Sequence, residues 1–333
     1  GDEIGSATFN WTLPKVWSKL RADADFDERL AEVARYNAGS RWRKRGLAMT
    51  PVKYGMSIGD YHSLSTVKIY GDGSVLVAHG GCELGQGIHT KCAQTAAYSL
   101  GVDLALVRVA DTETSKAPNN TGTGGSGTSE CMAKATAIAC EELSKRLADY
   151  RAKHKDWREA VKAAIADKVC LSAEAWYCSA DKGNAYATYG AGCSEVEVDV
   201  LTGEMEILRV DILMDLGHQL NAAVDLGQCE GGFVMALGYL FTEQMIHDKE
   251  GRQLNLGTWE YKIPGLSDTP QRFNVSLLDP SIPNPNGFLG SKASAEPVMS
   301  LAASAYFAVK AAVYAAREEL GHGAGFFDLP IPC

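Results

Sequence analysis

The apolar positions of this chain change period along its length, and the changes mark out its elements. Over residues 25–36, Phe26, Leu30 and Val33 fall on one helical face. A short basic turn is expected at 41–45. From Ser65 the period becomes two. Val67 and Ile69, then Val75 and Val77, flank Gly71-Asp72-Gly73, which predicts a hairpin. The second strand runs into a glycine-rich segment at 80–87, and a helix follows to residue 100. The same layout returns later. Val196, Val198 and Val200 alternate, Thr202-Gly203 turns the chain, and 207–214 brings it back. A loop then leads to Gly227-Gln228 and a glycine-punctuated buried helix over 229–240. Hairpin, loop, Gly-Gln and helix read as an internal repeat, with lobes at 50–170 and 171–333.

Other segments fill in the lobes. After 118–129, a helix places Ala135, Ile138, Ala139, Leu143 and Leu147 on one stripe. Asp156 and Glu159 have capping-box spacing and open a helix over 156–167. Residues 183–190 read as a loop, and 277–287, with its prolines, as an extended connection. A last long helix over 294–320 puts Val298, Leu301, Ala305 and Val309 inward and ends at Gly321. The fold expected is α+β: two similar lobes, each a small sheet with packed helices.

Composition narrows the function classes. A chain of 333 residues, 46% hydrophobic and 22% charged, has room for a real core and for two domains. Its net charge of -9 argues against a nucleic-acid partner. No apolar run of membrane-spanning length is read, so no membrane partner is expected. Gly1-Asp2-Glu3-Ile4 has no signal-peptide character and, lacking Met, reads as the start of an excised piece of a longer chain. The nine cysteines include no C-x-x-C pair and the seven histidines are scattered, so reduced thiols and no metal held directly by side chains are expected.

Three segments carry candidate chemistry. Residues 118–129 form a Gly/Thr/Ser loop that enters a helix, an arrangement whose exposed N–H groups, hydroxyls and helix dipole suit an anion. The same composition also gives a flexible linker. It matches neither a Walker loop nor a dinucleotide fingerprint. Gln86 and Gln228 sit at matching points of the repeat, which places them at two helix starts facing a shared cleft. Residues 289–297 lead a helix in with Glu296 in its first turn, Ser294 as cap and Pro297 tolerated early. A carboxylate so held can serve as a general base, or simply sit favourably on the helix dipole.

Four segments resemble one family. Gly80-Gly81-Cys82-Glu83-Leu84-Gly85-Gln86-Gly87-Ile88-His89-Thr90-Lys91, then 190–199, 225–231 and 291–297, are similar in order to signatures of the molybdenum hydroxylases, the xanthine dehydrogenases and aldehyde oxidases. The eukaryotic xanthine dehydrogenases are nearest in pattern. The resemblance spans roughly residues 1–320 and implies the C-terminal, second molybdopterin-binding domain of a larger enzyme. It implies Glu296 as the base in a hydroxylation that uses water-derived oxygen. It implies Gly85, Gln86, Gly125, Ser126, Thr128 and Gln228 as residues that contact the cofactor, with the molybdenum held through the pterin dithiolene and Gly125 near its ligands.

The implied substrate is a purine such as hypoxanthine or xanthine. Aldehyde or other N-heterocycle oxidation is the alternative, and a catalytically silent interaction domain is the alternative of another class. Iron–sulfur clusters and FAD belong to domains absent here, as does the first molybdenum-binding domain, the expected intramolecular partner. The isolated chain is expected to be inactive and free of molybdopterin. The parent is expected to be a homodimer in the cytoplasm, with the peroxisome as the other location. The chain departs from the family where a Phe-Thr pair aligns with Ile58-Gly59, which leaves Tyr61 as the candidate aromatic, and where Cys82 replaces a Thr.

Overall fold

The computed structural model describes residues 11–57, 59–179, 185–279, 284–323 and 325–331. The chain forms two compact units. Unit 1 holds Gly1–Gly55, Ala187–Asn284 and Lys292–Cys333; unit 2 holds Met56–Tyr186 and Pro285–Ser291.

Unit 2 contains a four-stranded sheet in the order β4-β3-β2-β5. Strands β2 (His62–Ile69) and β3 (Val75–His79) form the hairpin read from the sequence, with Val67 facing Val77 and Ile69 facing Val75. β4 (Val107–Val109) runs parallel to β3, and β5 (Ser172–Cys178) antiparallel to β2. Helices α3 (Ile88–Leu100), α4 (Thr128–Lys153) and α5 (Trp157–Ala166) pack on one face. Their apolar stripes, with Ile88, Cys92, Leu143, Leu147 and Val161, close over Val67, Val77 and Ala175. Asp156 caps α5 by accepting from the Glu159 amide at 3.0 Å.

Unit 1 contains the sheet β1-β6-β7-β8. Its strands are β1 (Arg43–Ser57), β6 (Ala185–Asp199), β7 (Met205–Asp215) and β8 (Arg272–Leu277). β6 and β7 are antiparallel, and β8 is parallel to β7. Alternation along β7 serves two layers. Val210, Ile212 and Met214 face a core built by α6 (Ala222–Leu237), α7 (Ala295–Met299) and α8 (Ala303–Glu319). Leu213 joins the core under α1 (Leu13–Asp23) and α2 (Phe26–Gly39), where Asp211 pairs with Arg29 at 2.8 Å. Each unit thus repeats one layout: a hairpin, a helix, a strand parallel to the hairpin's second strand, then a loop leading into a helix.

Several expectations change. Residues 41–45 belong largely to β1, because Arg43 and Arg45 pair with Glu197 on the neighbouring strand. On α2 the buried positions are Arg29 and Val33, while Leu30 is exposed, because an ion pair and not an aliphatic stripe anchors this helix. The loop expected at 183–190 is strand from Ala185 on, and 183 and 184 lie outside the described residues. β8, unforeseen, precedes the expected connection and shares only Leu277 with it. The last helix is three pieces, α7, a 3-10 turn at Ser300–Ala302, and α8. Ser294 makes no capping bond through its side chain. Gly321 does end α8, with His322 donating to Arg317 and Gly321 to Glu318. Ala295–Glu319 is, against the sequence reading, long and apolar enough to cross a membrane. Leu301, Ala305, Ala308 and Ala312 on it are buried in the unit 1 core.

Candidate functional site

In unit 2 two loops meet. The segment before α3 is braced from within. Glu83 accepts from the amides of Gly85 at 3.0 Å and Gly87 at 2.9 Å through one oxygen, and from His89 at 3.2 Å through the other. Gln86 accepts from the Leu84 amide at 2.6 Å and donates to the Cys82 carbonyl at 2.7 Å. Both ends of the Gln86 amide therefore hold the loop, and each keeps one further hydrogen-bonding position. The Cys82 amide donates to Thr123 Oγ1 at 2.9 Å, which ties this segment to the loop before α4. That bond joins the loop that carries Gly85 and Gln86 to the loop that carries Gly125, Ser126 and Thr128.

The second loop enters α4 through two left-handed residues, Gly125 at φ 60 and Ser126 at φ 55. A non-glycine residue held there is strained, a pattern that clusters at ligand sites. Glycine is required at 125 because a Cβ would come within 2.7 Å of Tyr61 Oη. That hydroxyl donates to the Gly124 carbonyl at 2.7 Å, so Tyr61 is anchored on this loop. Thr128 Oγ1 accepts from the Gly124 amide at 3.3 Å, and no side chain caps α4 at Gly127. Among the described residues, the first-turn amides of this 26-residue helix have no intrahelical partner and receive no cap from Gly127.

In unit 1, Glu296 is half-buried in the first turn of α7 and accepts from Tyr54 Oη at 2.5 Å. Its approach is pinned. Lys292 donates to Asp215 at 2.7 Å through its ammonium and to the Leu216 carbonyl at 3.1 Å through its backbone. Thr12 Oγ1 donates to the same carboxylate at 2.6 Å. α6 packs against α7 at Gly232, where a Cβ would meet the Ala295 carbonyl at 2.7 Å. Gln228, half-buried, sits in the middle of α6 and not at a helix start. The helix opens earlier because Asn221 caps it, accepting from Val224 at 3.1 Å.

The molybdopterin cofactor-binding domain family matches residues 19–270. This chain belongs to that family. It is 42% identical over 324 residues to xanthine dehydrogenase of Drosophila subobscura, covering 92% of this chain and 24% of that protein. It is 39% identical over 340 residues to xanthine dehydrogenase of Oryza sativa subsp. japonica, covering 96% and 25%. The chain therefore spans about a quarter of the length of these relatives. Its fold is similar to quinoline 2-oxidoreductase from Pseudomonas putida 86, with a TM-score of 0.77 at 24% identity over 93% of this chain and 43% of that one. It is also similar to the aldehyde oxidoreductase of Desulfovibrio gigas, with a TM-score of 0.72 at 22% identity over 90% and 33%.

The molybdopterin-binding domain offers its cofactor a suitable donor set. A phosphate-bearing pterin needs convergent N–H groups and a backbone that can be approached closely. The first-turn amides of α4, and the glycines at 122 and 124, where a Cβ would touch nothing within 4 Å, would suit such a group.

Sequence reasoning missed Glu130, which the repeat could have shown. Thr128-Ser129-Glu130 opens α4 as Ser294-Ala295-Glu296 opens α7, each helix following the parallel strand of its unit. Glu130 is buried and accepts from the Phe288 amide at 3.0 Å and from Tyr186 Oη at 3.1 Å. Burial outweighs these bonds and pushes its carboxyl up to about 7. His79 was missed too. Its Nδ1 accepts from the Gly81 amide at 3.2 Å, so its other nitrogen carries the hydrogen and donates to His89 Nδ1 at 3.0 Å. Burial, and secondarily His89, push it down to about 4.

These two groups act on stability in opposite directions. Neutral His79 stabilises fully above its ordinary pKa of 6.5, and that contribution is lost as pH falls towards 4. Glu130 is favoured in its protonated form, so its burial costs more as pH rises from 4.5 through 7. Glu130→Gln keeps the shape of the neutral acid and removes only the second slope. Urea denaturation of the variant and the native chain should give a stability gap that widens by about 3 kcal/mol between about pH 4.5 and pH 8. A gap independent of pH would show that Glu130 is not held protonated.

Proposed function

We propose that this chain is the molybdopterin-binding part of a hydroxylase that oxidises a purine, with Glu296 as its general base. The observation that carries the reading is the Glu296 carboxylate, held by Tyr54 at the end of a loop locked by Lys292. The bound molybdenum cofactor supplies the two-electron oxidation and the water-derived oxygen. The chain's own residues position and move protons. Glu296 takes a proton at its carboxylate while Tyr54 donates to Oε2 and limits its rotation. The first-turn amides of α4 and the Thr128 hydroxyl would hold the anionic end of the pterin. Gln86 contributes through the loop it braces, and Gln228 from α6.

The relatives named xanthine dehydrogenase support a purine substrate. One observation favours the second reading, oxidation of aldehydes or other N-heterocycles. The family's Phe-Thr pair aligns with Ile58-Gly59; Ile58 lies outside the described residues, and Tyr61 is tied to Gly124.

A substrate panel separates the two readings. In a molybdenum-loaded enzyme containing this chain, hypoxanthine should be hydroxylated with label from isotopic water, at a higher kcat/KM than any aldehyde tested. Aldehyde preference would refute the purine reading. The 333-residue chain alone is expected to hold no molybdenum. Elemental analysis finding near-stoichiometric metal would overturn that expectation.

A further inference from the structure

The outer face of the unit 2 sheet carries a cluster with no part in the chemistry above. His62 and Cys178 are direct cross-strand partners in β2 and β5. Their side chains therefore leave the sheet on the same side, with Cβ atoms about 5 Å apart. Asp60, two residues before His62, brings its carboxylate to both. Asp60 Oδ1 lies 2.9 Å from His62 Nε2 and accepts from Cys178 Sγ at 3.2 Å. The three ligand atoms lie within 4.8 Å of one another. Trp176 packs beside the imidazole, with ring centroids 5.4 Å apart. Spacing in the sequence hides this set, because Cys178 is brought to His62 only by sheet register.

We propose that Asp60, His62 and Cys178 form a binding site for a zinc-class divalent cation, with solvent as the fourth ligand. The donor types select the metal. Thiolate, imidazole and carboxylate together suit a borderline-soft ion and disfavour magnesium or calcium, which take oxygen ligands. The dimensions suit it as well. Zinc bonds of roughly 2.0–2.3 Å in a tetrahedron separate ligand atoms by about 3.3–3.6 Å. The Asp60 separations, 2.9 Å to His62 and 3.2 Å to Cys178, open by only a few tenths of an ångström to reach that, and all three ligand atoms already lie within 4.8 Å of one another. The charge balances too. Cys178 loses its thiol proton to solvent, and the sulfur–metal bond replaces the S–H bond. His62 binds through Nε2 as a neutral imidazole with its proton on Nδ1. Thiolate and carboxylate then neutralise the cation, and one proton is released for each ion bound. Two ligands are fixed by strand pairing, so little ordering opposes binding.

Cobalt(II) titration of the reduced 333-residue chain tests this, since thiolate-bound tetrahedral cobalt gives intense visible bands and a near-ultraviolet charge-transfer band. The expected result is one ion bound with those bands, displaced by zinc, with one proton released per ion. Cys178→Ser and His62→Ala should each weaken binding at least about 100-fold, more than loss of an outer partner costs. Asp60→Asn, which keeps the shape of the side chain, should also weaken it. Cys82 and Cys170 are the exposed competing thiols, and a Cys82→Ser/Cys170→Ser chain should bind as before. Circular dichroism checks that each variant is folded; His62 and Cys178 point away from the core. Absence of the charge-transfer band, or its survival in Cys178→Ser or His62→Ala, would overturn the proposal and leave Asp60 as a hydrogen-bond acceptor only.

Discussion

Glu296→Gln, in a molybdenum-loaded enzyme containing this chain, should lower turnover by about 10²–10⁴-fold while the metal content stays unchanged. The substitution preserves shape and still lets Tyr54 donate, but an amide cannot accept the proton. Little else changes, because Ala295 and Glu296 are fixed from both sides. Gly232 lets α6 come close to the Ala295 carbonyl, and Lys292 anchors the incoming loop. Steady-state kinetics and molybdenum per chain, measured on the same preparation, decide the matter. Near-normal kcat would remove Glu296 from the chemistry. Tyr54→Phe makes the complementary test. It keeps the carboxylate and loses only its anchor, so the loss should be smaller than for Glu296→Gln.

Lys292→Met should cost the fold about 3–5 kcal/mol. Lys292 is 1% exposed and Asp215 3%, so the ion pair is fully inside unit 1. Removing the ammonium leaves a buried carboxylate with the Thr12 hydroxyl and the Gly217 amide, at 3.1 Å, to stabilise its charge. The double variant Lys292→Met/Asp215→Leu removes both charges and should recover most of the loss, since desolvation of the pair is relieved together with its attraction. Urea midpoints followed by circular dichroism give the comparison. A single variant within about 1 kcal/mol of the native chain, or a double variant as unstable as the single, would contradict the assignment. The pair matters beyond stability, because it fixes the direction from which the chain reaches Glu296.

Elements with strong local signals were legible in the sequence. The β2–β3 hairpin announced itself through its turn and its period of two, and α5 through its capping box. β6 was missed at its start because residues 186–194 are all buried, and a strand covered on both faces shows no alternation. The expected helix over 229–240 starts seven residues earlier, at Ala222, because Asn221 caps it and the glycines at 227, 231 and 232 lie within it. The candidate site is read from motifs alone: Gly125 lies in the loop before α4, Thr128 opens that helix, and Glu296 lies in the first turn of α7. Its supports are not so read. Tyr54 reaches Glu296 across 242 residues of sequence, and Asp215 reaches Lys292 across 77. No local spacing encodes such contacts.

The interleaving of the two units also sets the order in which the chain assembles on the ribosome. β1 ends at Ser57, but its partner β6 begins only at Ala185, after nearly all of unit 2 has been made. Synthesis of that stretch takes on the order of ten seconds, while a unit with local contacts closes far faster. Unit 2 therefore completes its core while β1 waits as an unpaired strand with an open edge. The wait lasts longest for Tyr54, on that strand, whose partner Glu296 emerges only after β8. The hydrogen bond that positions the proposed base is thus among the last tertiary contacts formed.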